Sequence, residues 1–160
     1  MHQYYTYYQS PIGKLRLRAN DEGLLAVDHT CQQEHHDPHW VHDKHQSILQ
    51  RAITELNEYF EKSRITFTIP LEPQGTPFQQ QVWQQLQTIP YGQTYSYSDI
   101  ASAINQPRAV RAVGAANGRN PLSIFIPCHR VIGKNGKLTG YAGGMQTKKF
   151  LLDFEISRTY

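Results

Sequence analysis

The segment Pro70-Leu71-Glu72-Pro73-Gln74-Gly75 constrains this chain most, because two prolines and a glycine so close together continue neither a helix nor a central strand. The residues on its two sides follow different periods. On the N-terminal side, residues 3–9, 14–19 and 24–28 are short runs rich in Tyr, Leu and Val, parted by Ser10-Pro11-Ile12-Gly13 and Asn20-Asp21-Glu22-Gly23, which read as turns. They predict a β meander. Ile48, Leu49, Ala52, Ile53, Leu56, Tyr59 and Phe60 then recur at helical spacing and predict an amphipathic helix over about 46–61, with a further strand over 65–69.

On the C-terminal side the pattern is helical. Thr76 suits an N-cap, Pro77 the first helical position, and Gln79 completes a capping box, with Phe78, Val82 and Leu86 on one face up to Pro90-Tyr91-Gly92. A second helix is predicted from Ser98 through Ile100, Ala101 and Ile104. After the break at Asn105-Gln106-Pro107, a third runs from Pro107 to about Asn117. The fold class is therefore α+β in two lobes. Residues 1–76 carry a small β-sheet with one helix, and residues 77–160 a mostly helical lobe with a helix-turn-helix and a wing-like turn at Lys134-Asn135-Gly136-Lys137.

Composition narrows the function classes. The N-terminus has no basic region followed by an apolar run, and no stretch approaches the roughly 20 apolar residues of a membrane span. No membrane partner is expected, and a cytoplasmic location is. Two cysteines do not make a disulfide framework, which fits a reducing compartment. Net charge is only +3, but residues 1–76 hold 7 Lys/Arg against 10 Asp/Glu, and residues 77–160 hold 9 against 3. A basic second lobe fits a polyanion-binding face, and equally a solvated basic surface. In the third helix, 100° steps place Arg108, Arg111 and Ala115 on one stripe, with Val110, Val113 and Gly114 roughly opposite. The small residues Ala112, Gly114 and Ala115 would let the axis approach a nucleic-acid groove while Arg111 reaches into the duplex. An Ala-rich packing helix with solvated arginines fits the same pattern. Lys134 and Lys137 are candidate phosphate contacts.

The chemistry concentrates in Ile126-Pro127-Cys128-His129-Arg130-Val131. A free thiol has a pKa of about 8.5, and adjacent cations lower it, so these neighbours favour a thiolate nucleophile. Pro127 implies that the chain enters the cysteine extended and stiff. On a strand Cys128 and His129 would point to opposite faces, so they cooperate only if the chain turns between them or a water bridges them. The bridged arrangement is expected. A cysteine that merely fills a core is the competing reading.

Taken in order, Pro90-Tyr91-Gly92, Tyr97, Arg108-Ala109-Val110-Arg111-Ala112-Val113-Gly114, Asn120-Pro121, Ile126-Pro127-Cys128-His129-Arg130-Val131-Ile132, Gly140-Tyr141-Ala142-Gly143-Gly144 and Leu151-Leu152 with Glu155 resemble the O6-alkylguanine-DNA alkyltransferases, closest to the bacterial single-domain type. The resemblance covers essentially the whole second lobe, and the first only in outline. It implies DNA repair by direct, irreversible, stoichiometric transfer of an alkyl group from a flipped-out O6-alkylguanine to Cys128, with O4-alkylthymine left open as a second substrate. It implies that His129 takes the cysteine proton through a water, that Glu155 orients and stabilises the imidazolium, and that Tyr97 donates to the departing base. By the same resemblance Asn120 braces the active-site turn and Arg111 fills the gap left by the base. Val131 and the Cys128 backbone meet the guanine edge, while Tyr141, Ala142 and Gly143 wall the alkyl pocket. The expected partner is alkylated double-stranded DNA, the expected state a monomer, and no cofactor is implied.

His29, Cys31, His35, His36, His39, His42 and His45 also cluster in the first lobe. Their spacing is not that of a compact Cys/His zinc module, so they read as a polar loop with no metal, and Cys31 as an ordinary thiol.

Overall fold

The computed structural model describes residues 2–30, 35–141 and 143–158. They form two compact units, one ending at Gln74 and the other beginning at Gly75. The first contains β1 (Tyr4–Ser10), β2 (Gly13–Ala19), β3 (Leu24–His29), β4 (Val41–His42) and α1 (Ser47–Phe60). The sheet runs β3-β2-β1-β4, with β1, β2 and β3 paired antiparallel as a meander and β4 parallel to β1. Gly13 closes the first turn at φ +107°, a region where a side chain is strained. Leu15, Leu17, Ala19 and Val27 of the sheet are buried, as are Leu49, Ala52, Leu56 and Tyr59 of α1. β4 is too short for any alternation to show in the sequence.

The strand expected over 65–69 does not form. Glu55, buried on α1, accepts the backbone N–H groups of Thr68 (2.9 Å) and Ile69 (3.3 Å) and the Thr68 hydroxyl (3.1 Å). The carboxylate thus takes the donors that a strand ladder would use. Pairing comes later, in the segment read as a linker: Leu24 N–H donates to the Pro70 carbonyl (2.9 Å) and Glu72 N–H to the Leu24 carbonyl (2.8 Å). Arg16 interrupts the alternation of β2. Its guanidinium is buried against Asp28 (3.0 Å) and the His35 carbonyl (2.7 Å), 5.0 Å over the Trp40 ring.

The second unit contains α2 (Pro77–Leu86), β5 (Tyr95–Ser96), α3 (Tyr97–Ala103), α4 (Val110–Gly118), a single 3₁₀ turn (Cys128–Arg130), β6 (Val131–Ile132) and α5 (Met145–Arg158). Thr76 and Gln79 form the reciprocal capping box at the start of α2. A second capping box, between Ser96 and Asp99, starts α3 at Tyr97 rather than at Ser98. α3 ends in a Schellman motif with Asn105 at φ +61°, where Gln106 N–H donates to the Ala101 carbonyl and Asn105 N–H to that of Ser102. α4 then begins at Val110 and not at Pro107. Pro107 instead occupies the second position of a β-turn closed by Ala109 N–H on the Gln106 carbonyl (2.9 Å), the position for which its fixed φ is suited. The indole of Trp83 on α2 donates to the Ala116 carbonyl on α4 (2.9 Å).

Candidate active site

The backbone around Cys128 is held by Asn120, just past the end of α4. Its side-chain oxygen accepts from Leu122 N–H (3.0 Å) and its amide donates to the Ile126 carbonyl (2.8 Å). Between them Ile124 sits at φ +77°, a conformation that costs a β-branched residue about 1–3 kcal/mol. The chain does not enter the cysteine extended. Pro127 (φ −79°, ψ 62°) is the centre of an inverse γ-turn, closed by Cys128 N–H on the Ile126 carbonyl (2.7 Å). The 3₁₀ turn follows at once, so successive side chains leave about 120° apart rather than on opposite faces. The chain therefore turns between Cys128 and His129. β6 then leaves beside β5, with Tyr95 opposite Val131, which sets the start of α3 next to the cysteine turn.

His129, Arg130 and Glu155 form one buried cluster, at 0%, 5% and 1% exposure. His129 Nε2 lies 2.7 Å from Glu155 Oε2. Arg130 grips the same carboxylate as a fork, Nε to Oε1 at 2.8 Å and Nη2 to Oε2 at 3.0 Å, while its Nη1 donates to the Ile89 carbonyl (2.8 Å). Burial alone would raise the Glu155 pKa, but the charges and hydrogen bonds of His129 and Arg130 hold it far below the usual carboxylate range. An ionised Glu155 can only accept, so the His129 proton sits on Nε2 and Nδ1 is the basic nitrogen. Nδ1 is buried and has no hydrogen-bond partner among the described residues. Burial lowers the His129 pKa more than Glu155 raises it, which keeps the ring neutral and ready to accept a proton.

Cys128 is buried as well, at 2% exposure. Burial pushes its thiol up to about 11, against a hydrogen bond from Asn120 and the charge of Lys148. The cationic neighbours favour a thiolate, but burial holds the thiol protonated, because desolvation outweighs them. Ionisation has to accompany the reaction.

Lys148 is the residue that the motif reading missed. It is fully buried, and its ammonium donates to the carbonyls of Val131 and Thr139. Burial lowers it to about 8, while an ionised Cys128 would act to raise it. The signal was available in the sequence: Lys148, Leu151, Leu152 and Glu155 are one helical stripe, and all are buried on α5. Tyr97, the first residue of α3, places its hydroxyl 3.0 Å from both the Thr139 carbonyl and the Thr139 hydroxyl. The structure thus brings Cys128, His129, Glu155, Asn120 and Tyr97 together around the cysteine turn.

Among the pocket candidates, Val131 and Tyr141 are buried and Gly143 is half-buried, whereas Ala142 lies outside the described residues. The Val131 carbonyl already accepts from Lys148, and the Cys128 carbonyl accepts from Asn117 Nδ2 (3.4 Å). On α4, Arg111, Ala112 and Ala115 form an exposed stripe, with Val113, Ala116 and Asn117 buried on the other side. Gly114 is half-buried beside the Tyr97 ring. Arg108 is exposed but lies in the turn before α4, so it does not share the helical stripe expected of it. Lys134 and Lys137 are exposed on a loop closed by Gly133 N–H on the Lys137 carbonyl (2.8 Å). Among the described residues no strand follows this loop to pair with β6 as a hairpin. Among the described residues no three His, Cys, Asp or Glu side chains are grouped to hold a metal, and no helix is long and apolar enough to cross a membrane. Cys31 lies outside the described residues.

Comparison with known proteins bears on both units. Residues 77–157 match the family pattern described as 6-O-methylguanine DNA methyltransferase, DNA binding domain, and residues 3–73 match 6-O-methylguanine DNA methyltransferase, ribonuclease-like domain. The constitutive methylated-DNA--protein-cysteine methyltransferase of Bacillus subtilis is 48% identical over 163 residues, covering 95% of this chain and 94% of its own. The methylated-DNA--protein-cysteine methyltransferase of Haemophilus influenzae is 44% identical over 153 residues, covering 95% and 86%. The crystal structure of Mycobacterium tuberculosis OGT in complex with DNA superposes with a TM-score of 0.88 at 45% identity, covering 99% of this chain and 94% of that one.

Proposed function

Since the chain belongs to the 6-O-methylguanine DNA methyltransferase family, we propose that it repairs DNA by moving the alkyl group of O6-alkylguanine onto Cys128, once per molecule. The observation that carries this reading is the buried thiol beside a neutral His129 whose Nδ1 is free and whose Nε2 is fixed by Glu155. The Cys128 proton passes to His129 Nδ1 through a bridging water, and the imidazolium is stabilised by Glu155. The sulfur then attacks the saturated alkyl carbon: the S–C bond forms as the C–O bond breaks, and guanine leaves with the electron pair. The guanine anion recovers a proton from the imidazolium or from solvent, which balances the step. The product is a thioether with no bond that water can open, so the protein is consumed.

In this reading Tyr97 donates a hydrogen bond to the departing base, and the buried Lys148 ammonium, 5.9 Å from the centre of the Tyr97 ring, lies near enough to favour the developing charge. The base reaches the thiol only by leaving the stack, at a cost of a few kcal/mol. In this reading Arg111 enters the duplex to fill the gap, Ala112, Gly114 and Ala115 keep the helix slim, and Arg108, Lys134 and Lys137 meet phosphates. Val131, the Cys128 backbone, Tyr141, Ala142 and Gly143 form the pocket. O4-alkylthymine presents the same alkyl–oxygen bond and belongs to the same reading as a secondary substrate. All of these groups come from one chain, which fits a monomer as the acting species, working on alkylated double-stranded DNA in the cytoplasm.

A titration of the protein against a duplex carrying one O6-methylguanine tests this. The repaired duplex is expected to rise in proportion to protein and to stop at one equivalent. Repair beyond one equivalent, or none, would overturn it.

A further inference from the structure

The reaction leaves one well-placed residue unused. Thr139 is exposed and precedes Gly140, whose φ of +56° turns the backbone back toward α3. Its carbonyl accepts from Lys148 Nζ (2.7 Å) and lies 3.0 Å from the Tyr97 hydroxyl, and its own hydroxyl lies 3.0 Å from the same phenol oxygen. A Cβ built on Gly140 would sit 3.6 Å from Tyr97 Oη, at ordinary contact distance, so this corner of the loop passes beside the phenol. The Tyr97 hydroxyl has one proton and two lone pairs. With its proton on the Thr139 carbonyl, it accepts from the Thr139 hydroxyl.

We propose that Thr139 is the positioning residue of Tyr97 in alkyl transfer: its carbonyl holds the phenol proton at rest, and its hydroxyl keeps donating to the phenol oxygen when that proton turns to the base. The carbonyl fixes where the phenol waits. The hydroxyl matters in the transition state, because a phenol that is itself receiving a hydrogen bond donates more strongly to a base gathering negative charge. No proton changes owner in this step. The threonine acts only through Tyr97, so the inference rests on the donor role given to Tyr97 above.

The test is single-turnover transfer from an O6-methylguanine duplex, measured for wild type, Thr139→Val, Thr139→Ser, Tyr97→Phe and the Thr139→Val/Tyr97→Phe double variant. Valine keeps the branch and the backbone carbonyl but removes the hydroxyl, and is expected to slow transfer about tenfold. Serine recovers most of the rate. In the Tyr97→Phe background the valine has no further effect. Tyrosine ¹³Cζ titration, with Tyr97 assigned by its loss in Tyr97→Phe, is expected to show the Tyr97 phenol ionising at higher pH in Thr139→Val than in wild type and near the wild-type pH in Thr139→Ser; this reports the bond from the hydroxyl to the phenol, and the double variant separates its part in transfer from a merely structural one. A slow Tyr97→Phe beside a Thr139→Val at wild-type rate overturns this proposal and leaves the role of Tyr97 standing. Equal slowing by valine in both backgrounds overturns it in the same way. A Tyr97→Phe at wild-type rate overturns both.

Discussion

Cys128 reacts as a buried thiol that must lose its proton on demand. With burial holding it at about 11, iodoacetamide should modify Cys128 slowly at pH 7 and progressively faster as the pH climbs toward 11, as read by peptide mass. The sign for stability is opposite: the raised thiol stabilises the fold below pH 9, and that contribution is lost as the pH rises through about 11. With His129 as the proposed base, the transfer step has an acid limit. Burial lowers its pKa below the ordinary 6.5, so the ring stays a competent base through that pH, and transfer rates should fall only at more acidic values. Glu155 is the mirror case. Its depressed pKa contributes stability above the ordinary carboxylate range, lost as the pH falls below it. Glu155→Gln leaves the buried Arg130 guanidinium without its counter-charge and should cost about 3–5 kcal/mol in urea unfolding, as well as most of the transfer rate. Cys128, His129 and Glu155 were legible from an ordered motif. The fork from Arg130 and the burial of Lys148 were not, because which carboxylate or carbonyl a buried cation meets is decided by packing between elements distant in sequence.

The elements proposed to face DNA make separate predictions. Arg111 is exposed on α4 beside Ala112 and Ala115, and Arg111→Ala should slow transfer from duplex DNA more than from a single strand carrying the same lesion, because only the duplex must be opened. Lys134 and Lys137 lie on the exposed loop after β6. Replacing either with alanine should weaken binding uniformly across sequences and lower the slope of log K against log salt by about 0.9. The start of α2 was legible because Thr76, Pro77 and Gln79 carry the whole signal locally. α4 was placed too early because Pro107 serves a turn as well as it serves a helix start, and only the Gln106–Ala109 hydrogen bond decides between them. The strand read over 65–69 failed for a reason no local pattern contains, namely that Glu55, more than ten residues earlier, takes its backbone donors.

For the whole molecule, the meander with one helix and the mostly helical second unit followed from hydrophobic period and from the proline-rich divide, which are properties of composition and spacing. The geometry around Cys128 was legible only as a resemblance. The γ-turn at Pro127, the left-handed Ile124 and the buried ion cluster together turn a stretch that looks extended into one that presents a thiol. The central claim is that the molecule is a consumed reactant whose acceptor is Cys128. Its most direct test is intact mass and peptide mapping after incubation with an excess of O6-methylguanine duplex. The expected result is a gain of one methyl group per chain, all of it on the peptide containing Cys128. An unmodified Cys128 after complete incubation would contradict the account.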